Sequence, residues 1–444
     1  MHFTYLLVAC NLIQVYRDGL ILLIHQSFCG PQDPGGTRHY ELAQRVVAMG
    51  HRFTVITSEH SYLTGRKKTA PPDQAEIDLH MAPAIGGWHQ SYFNRMLAFM
   101  SFMLTSIFTA LRVQDPDVVI GTSPPMFQAC SAWAVAAIRH RPFVLEVRDL
   151  WPAFAIDLGI LRSRLLILLA RKLENFLYAH ARAIIVNSPS YRDYLLQIGI
   201  PDSKISVIPN GTDVSLFRPE ARGEAVRNDH ELTGKFVVMY AGALGLANDI
   251  DCVLNAAARL RYQTDIVFAL VGDGKELSQL RMRAESLELN NIRFIAAQPK
   301  KRMPEVLAAA DVCVATLKDV PMLRTTYPNK VFDYMAAGRP TVLAIEGPIR
   351  EVIEKSGGGM CVPPGDDAAV AAAVLELYHR PEVRQEMATK ARSYVVLNFD
   401  RGLQAEKFLH TLERCYSGDT APVQEETLPS PALSTTTENS LDTI

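Results

Sequence analysis

The sequence predicts an α/β protein: two doubly wound, Rossmann-like parallel-sheet domains facing each other across a cleft. Three observations carry this. Short apolar runs alternate with longer helical patterns along most of the chain. The series breaks once, in VIPNGTDVSLFRP (Val207–Pro219), and restarts about 20 residues later. The 444 residues suffice for about two to three separate cores.

In the first half, strands are expected at Leu20–Ser27, Arg52–Thr57, Val118–Gly121, Phe143–Val147 and Ala183–Asn187. In the second they are expected at Phe236–Tyr240, Ile266–Val271, Ile292–Ile295, Val312–Thr316, Thr341–Ala344 and Gly359–Val362. Runs this short and apolar on both faces, separated by helices, read as strands of buried parallel sheets. Right-handed crossovers then wind each sheet with helices on both sides. Gly50 and Gly338 fall where left-handed helix C-caps belong, after helices predicted over Thr37–Met49 and Val331–Ala337. The divisions expected are an extension over 1–19, a first domain over 20–212, a second over 213–397, a final segment over 398–416 and a tail over 417–444.

Composition narrows the class. The tail holds five acidic residues (Asp419, Glu425, Glu426, Glu438, Asp442) and no Lys or Arg, and its Ser/Thr/Pro-rich pattern predicts disorder. Without it, 45 basic residues face 42 acidic ones, too even a balance for a nucleic-acid partner. The seven cysteines are scattered, unpaired in sequence and odd in number, which argues for a reducing, cytoplasmic setting. Residues 1–19 read as an anchor, a decoration or an upstream start, with the last preferred; they lack the basic region and cleavage site of a signal peptide.

Ligands of open α/β sheets bind beyond the carboxyl ends of the strands, and the candidate motifs all sit there. Gly35-Gly36 lie between the first strand and a helix, where bare backbone and free amides suit an anion; a plain turn is the alternative. Gly242 and Gly245 open the second half in the same way, without the spacing or the acidic residue of a dinucleotide site. Asp249-Ile250-Asp251 spells DxD, but two aspartates capping and charging a helix start are the preferred reading, and no metal is expected. In TTYPNKVFDYMAAGRPTVLA, Thr325 or Thr326 is expected to cap a helix with Pro328 in its first turn. That places Asn329, Lys330 and Asp333 at the helix start. A cation and an acceptor there suit a phosphate plus sugar or ribose hydroxyls; an i,i+3 salt bridge is the alternative. FVLEVRDLWPAF ends a strand with Glu146, Arg148 and Asp149, charges that a buried strand end must pair or use; an Arg148–Asp149 pair is the bland reading.

Two helices have apolar surfaces. Met96–Leu111 is almost wholly apolar or small, and Leu161–Ala183 mixes leucines with Arg162, Arg164, Arg171 and Lys172. Both are short of the ~20 residues of a membrane span, yet a basic amphipathic helix can lie in an interface; ordinary core-facing helices are the alternative. Phe99, Phe102 and Met103 are the residues expected on a membrane-facing surface.

Taken together, the chain from about Ile21 to Tyr416 resembles family 4 of the retaining glycosyltransferases. PGGTRHYELAQRVVAMGHRFTVIT, VIPNGTDVSLFRP, FALVGDGKE and PNKVFDYMAAGRPTVLA carry the resemblance. VRDLWP and YAGALGLAND look more like the branch that builds bacterial surface polysaccharides such as O-antigen or capsule, which includes transferases of N-acetylfucosamine-type sugars. The resemblance implies a GT-B fold, a last helix crossing back to the first domain, a nucleotide-sugar donor held mainly by the second domain, and no cofactor or required metal. It implies Ile295–Pro299 near the base, Gly242, Gly245 and Lys330 near the diphosphate, Asp333 on the ribose, and Gly35-Gly36 closing from the opposite side. It also implies transfer, with retention, of a hexose or N-acetylated amino sugar to a glycan or polyprenyl-linked acceptor at the cytoplasmic face of the inner membrane. Three departures stand out: Thr325 and Asp333 occupy the positions of two glutamates, Arg148 replaces a histidine, and an Arg and Lys after the second glycine loop are missing. The competing readings are a nucleotide-sugar epimerase of the same architecture and a non-catalytic subunit of a polysaccharide-assembly complex.

Overall fold

A computed structural model describes residues 18–33, 36–60, 76–85, 92–218 and 220–417, and the backbone alone at 92 and 93. The strands are β1 (Leu20–Ile24), β2 (Arg52–Ser58), β3 (Ile77–Ala82), β4 (Val118–Ser123), β5 (Phe143–Val147), β6 (Ala183–Val186) and β7 (Ile205–Val207) in the first half. Those of the second are β8 (Phe236–Ala241), β9 (Ile266–Val271), β10 (Ile292–Ile295), β11 (Val312–Thr316), β12 (Thr341–Ala344) and β13 (Gly359–Cys361). They form two fully parallel sheets ordered β3-β2-β1-β4-β5-β6-β7 and β10-β9-β8-β11-β12-β13. In each, the order reverses beside the first strand of the half, between β1 and β4 and between β8 and β11, so both sheets open a crevice at their carboxyl ends there.

Every predicted strand is present, with ends shifted by up to three residues. Two strands escaped prediction, β3 and β7, and they are the edges of the first sheet. β3 (IDLHMA) has one face half exposed, so polar Asp78 and His80 interrupt the apolar run that marks an inner strand. Gly50 (φ +96°) and Gly338 (φ +61°) do follow helices Arg38–Ala48 and Asn329–Ala336 with positive φ. The six described cysteines are free.

The last helix, Arg401–Ser417, buries Ala405, Phe408, Leu409 and Leu412 in the core of the first sheet. Its first residue is locked: Arg401 Nε donates to Glu41 Oε2 (2.7 Å), and the guanidinium also reaches the carbonyls of Asn210 and Gly211. Burial alone would raise the Glu41 carboxyl, but Arg401 and Lys300 hold it below its usual range. Gly211 therefore sits at the crossing between the halves, with φ +55° and an added Cβ only 2.4 Å from the Phe399 carbonyl oxygen. Gly211→Ala is expected to cost about 2–4 kcal/mol, since it strains φ and meets backbone that cannot swing away. A lowered urea midpoint would register this, and an unchanged midpoint would show that the turn yields.

The surface expected over Phe99, Phe102 and Met103 is displaced. Phe102 is fully buried and Phe99 stacks on Phe127 with ring centroids 6.2 Å apart. The outer face of helix Tyr92–Ala110 instead carries Met96, Leu97, Met100, Leu104 and Phe108. Nor does helix Arg164–His180 face the core along its whole length: Leu165, Leu166, Leu168 and Leu169 are each more than half exposed.

Candidate active site in the cleft between the sheets

Both sets of strand ends converge. Across the junction Ser188 Oγ donates to the Thr325 carbonyl (2.6 Å), Asn210 Nδ2 to the Tyr327 carbonyl (2.9 Å) and the Met322 amide to Asp157 (3.2 Å). On the other flank the Lys301 amide donates to the Pro31 carbonyl (3.1 Å). The loops carrying the candidate residues are thus in contact, and the site lies between them.

Lys330 is in the first turn of helix Asn329–Ala336. It makes no ion pair with Asp333. Its Nζ donates to Tyr240 Oη (2.6 Å) and Asn248 Oδ1 (2.8 Å) and lies 4.2 Å from the Tyr240 ring centroid. Both partners come from the glycine-loop region: Tyr240 is the penultimate residue of β8, and Asn248 follows Gly245. Burial, with no carboxylate beside it, lowers the Lys330 amine to about 7. Gly242 packs against this side chain so closely that an added Cβ would come 3.2 Å from Lys330 Cε, and the same atom on Gly245 would lie 4.0 Å from Asn248 Nδ2. From the first half, Gly36 approaches Asn329, its would-be Cβ 3.7 Å from the amide nitrogen. Gly36, Gly242, Gly245, Asn329 and Lys330 are therefore one cluster around a helix start, with the buried amine at its centre. Gly35 lies outside the described residues.

Asp333, one turn on, accepts from Thr212 Oγ1 (2.8 Å) and pairs with Lys300 Nζ (2.6 Å). Lys300 was not singled out in the sequence, where it reads as a surface lysine in KKR; only the fold brings it to the carboxylate. The expected threonine cap does not form. Pro328 holds the capping position, and the hydroxyls of Thr325 and Thr326 turn back to the carbonyls of Met322 and Leu323. The cause is Pro328: its missing N–H leaves a capping hydroxyl one donor short, and the helix begins only after it. In the DxD string Asp249 precedes helix Ile250–Arg259 at φ +48° without a capping bond, and Asp251 pairs with Arg283 (3.2 Å). The two carboxylates thus serve different neighbours, and the expected cap bond is absent.

The charges ending β5 divide between core and cleft. Glu146 is fully buried, pairing with Arg38 Nε (2.8 Å) and with His39 Nε2. Burial opposes its ionisation, but Arg38 and His39 hold its carboxyl well below the usual range. Burial lowers His39 as well, against the opposing pull of the Glu146 carboxylate. The His39 ring packs 4.4 Å from His25, whose Nε2 lies 3.4 Å from Arg148. His25 in turn contacts Thr122, which Gln128 holds. This polar network under Arg148 was not legible in sequence, because its members are spread over more than 100 residues. No Arg148–Asp149 ion pair forms. Asp149 opens onto the cleft and hydrogen-bonds Tyr191, which also contacts Thr325. Desolvation by the surrounding cleft walls raises the Asp149 carboxyl to about 6, against the pull of Arg148 and Tyr191.

The chain is similar to known proteins in sequence and in fold. The profile "Glycosyl transferase 4-like domain" matches residues 35–211, and "Glycosyl transferases group 1" matches residues 223–394. WcaI of Escherichia coli K12, named for glycosyl transfer in colanic acid biosynthesis, is 24% identical over 389 residues, which is 84% of this chain and 94% of WcaI. A GDP-mannose-dependent alpha-mannosyltransferase of Mycobacterium tuberculosis is 26% identical over 289 residues, 65% of this chain and 70% of its own length. Among solved structures, Anabaena HepE in complex with UDP-glucose superposes with a TM-score of 0.70 at 18% identity, covering 89% of this chain and 99% of HepE. That last likeness is one of fold.

Proposed function

For this chain, a glycosyltransferase of the GT-B fold, we propose transfer of a hexose or N-acetylated amino sugar from a nucleotide-sugar donor to a glycan or polyprenyl-linked acceptor. Transfer retains anomeric configuration, needs no metal and serves surface-polysaccharide assembly. The observation that carries this reading is the buried Lys330 amine at a helix start, with Gly36 and Gly242 closing on it from the two halves.

In this account the glycine loops, the amides at the helix start and Lys330 hold the donor diphosphate, and Asp333 takes the ribose after exchanging its contact with Lys300. The bond between C1 and the β-phosphate oxygen breaks, with its electron pair leaving on the nucleoside diphosphate. The acceptor oxygen bonds to C1 on the same face and passes its proton to the departing phosphate oxygen. Lys330 and Arg148 offset the charge that develops there. Asp149 accepts a hydrogen bond that orients an incoming hydroxyl. The test is the anomeric configuration of the product by NMR, together with acceptor-dependent release of nucleoside diphosphate. An inverted product would contradict the mechanism and make Asp149 the base. Conversion of the donor to an isomeric nucleotide-sugar without acceptor would favour the epimerase alternative.

The two shifted groups fix a pH profile. Asp149 loses its acceptor role as pH falls below about 6, and free Lys330 loses its charge as pH rises above about 7. kcat/KM is expected to be bell-shaped between these limbs, with Asp149→Asn removing the acid limb and Lys330→Gln the alkaline one. A profile flat from about pH 5 to 9 would contradict these assignments.

The acceptor side faces a membrane in this account. No helix among the described residues is long and apolar enough to cross one. The outward leucines 165, 166, 168 and 169 share their helix with exposed Arg164, Arg171 and Lys172, a pattern suited to an anionic interface. Leu165→Ser with Leu168→Ser and Leu169→Ser should release the protein from vesicles containing anionic lipid while leaving its melting midpoint unchanged. Undiminished co-sedimentation would sink this surface.

A further inference from the structure

A second positively charged site lies at the opposite end of the first sheet. A cavity of about 780 Å³ opens where β5 and β6 begin, between the ends of helices Met126–Ile138 and Arg164–His180 and the end of the last helix. Arg141, Arg182, Lys204 and Arg414 line it beside Trp133, and no lining residue is acidic. The donor cleft is elsewhere, at the carboxyl ends of the same strands.

Cations at helix carboxyl ends need no ligand to explain them, and two of these have such ordinary employment. Lys204 Nζ donates to the carbonyl of Ala179 (3.1 Å), and Arg141 pairs with Asp115 outside the cavity. Arg182 is different: it is an exposed residue at the cavity mouth, and among the described residues its guanidinium makes no hydrogen bond or ion pair. It stands instead against Lys204, and burial together with the Arg182 charge lowers the Lys204 amine from its ordinary value. Arg182 and Lys204 thus bring like charge together at a cavity whose lining holds no carboxylate.

We propose that this cavity binds a small phosphorylated molecule at a site separate from the donor cleft. A guanidinium fork matches phosphate oxygens in a way that a point charge does not. The volume admits more than a single phosphate, and Trp133 gives an apolar wall for the rest of the ligand. Four cations around one cavity are too few for a nucleic-acid track. The phosphate comes from a soluble metabolite or from a lipid headgroup, and the chemistry recognised is the same.

The probe is inorganic pyrophosphate, titrated calorimetrically into the full chain carrying Lys330→Gln to silence the cleft. Binding is expected to persist there and to weaken by about tenfold or more on adding Arg182→Gln, with Lys204→Gln as an independent second variant. A parallel arm replaces pyrophosphate with vesicles containing phosphatidic acid. A response to Arg182→Gln in the soluble arm assigns a metabolite, and one confined to the vesicle arm assigns a headgroup. Indifference of both arms to both substitutions overturns the proposal. So does pyrophosphate binding that only Lys330→Gln abolishes, with vesicles unaffected by Arg182→Gln.

Discussion

Lys330→Gln is expected to lower kcat/KM for the donor by about 10²–10³-fold, the usual effect of removing one preorganised donor aimed at developing charge. The protein should stay folded, because the amine offsets no protein charge: its partners are a phenol and an amide. Stability should even lose a pH dependence. The unfolded lysine keeps its proton to its ordinary 10.5 and the folded one to about 7. Between these values the unfolded chain binds more protons, so wild-type stability rises with pH across that window, and the glutamine variant lacks the rise. Lys330→Arg should not rescue activity, since the planar guanidinium is larger than the amine that Tyr240 and Asn248 hold and cannot reproduce its position. Retained turnover in Lys330→Gln would remove the centre of the proposed site.

Glu146→Ala carries the largest expected effect on stability, a loss of about 3–5 kcal/mol. The substitution strands the Arg38 guanidinium, itself buried, with only the carbonyls of Pro209 and Ile208 for partners. Because Glu146 is held well below the usual carboxylate range, its contribution is present above that range and is lost as pH falls through the lowered value. Urea midpoints at neutral pH measure the loss. A decrease below about 1 kcal/mol would mean that Arg38 reaches water once its partner is gone.

The inner strands were legible because a strand buried on both faces must be apolar at every position, as in β9 and β11. β3 was not, because an edge strand needs only one apolar face. Helix Tyr92–Ala110 was misread on its outer side for a related reason: with apolar residues all round, the sequence offers no polar stripe to phase it. Lys330 was legible from its place beside a helix start, but its partners Tyr240 and Asn248 lie more than 80 positions away. Lys300 on Asp333, and the Arg38–Glu146–His39–His25 series under Arg148, were hidden in the same way. Charges within one segment can be read against each other; charges brought together by two βα units cannot. The threonine cap failed for a local reason that was visible, the proline between Thr326 and the helix.

Donor binding depends on a nucleoside diphosphate held at Lys330. The most direct test is the thermal midpoint of the protein with UDP, GDP, ADP and dTDP, in the wild type and in Lys330→Gln. A diphosphate at ~100 times its dissociation constant stabilises by about 2.7 kcal/mol, a readily visible rise. One nucleotide should raise the wild-type midpoint and leave that of Lys330→Gln nearly unmoved. No response from any of the four, or an equal response in both proteins, would contradict the donor site described here.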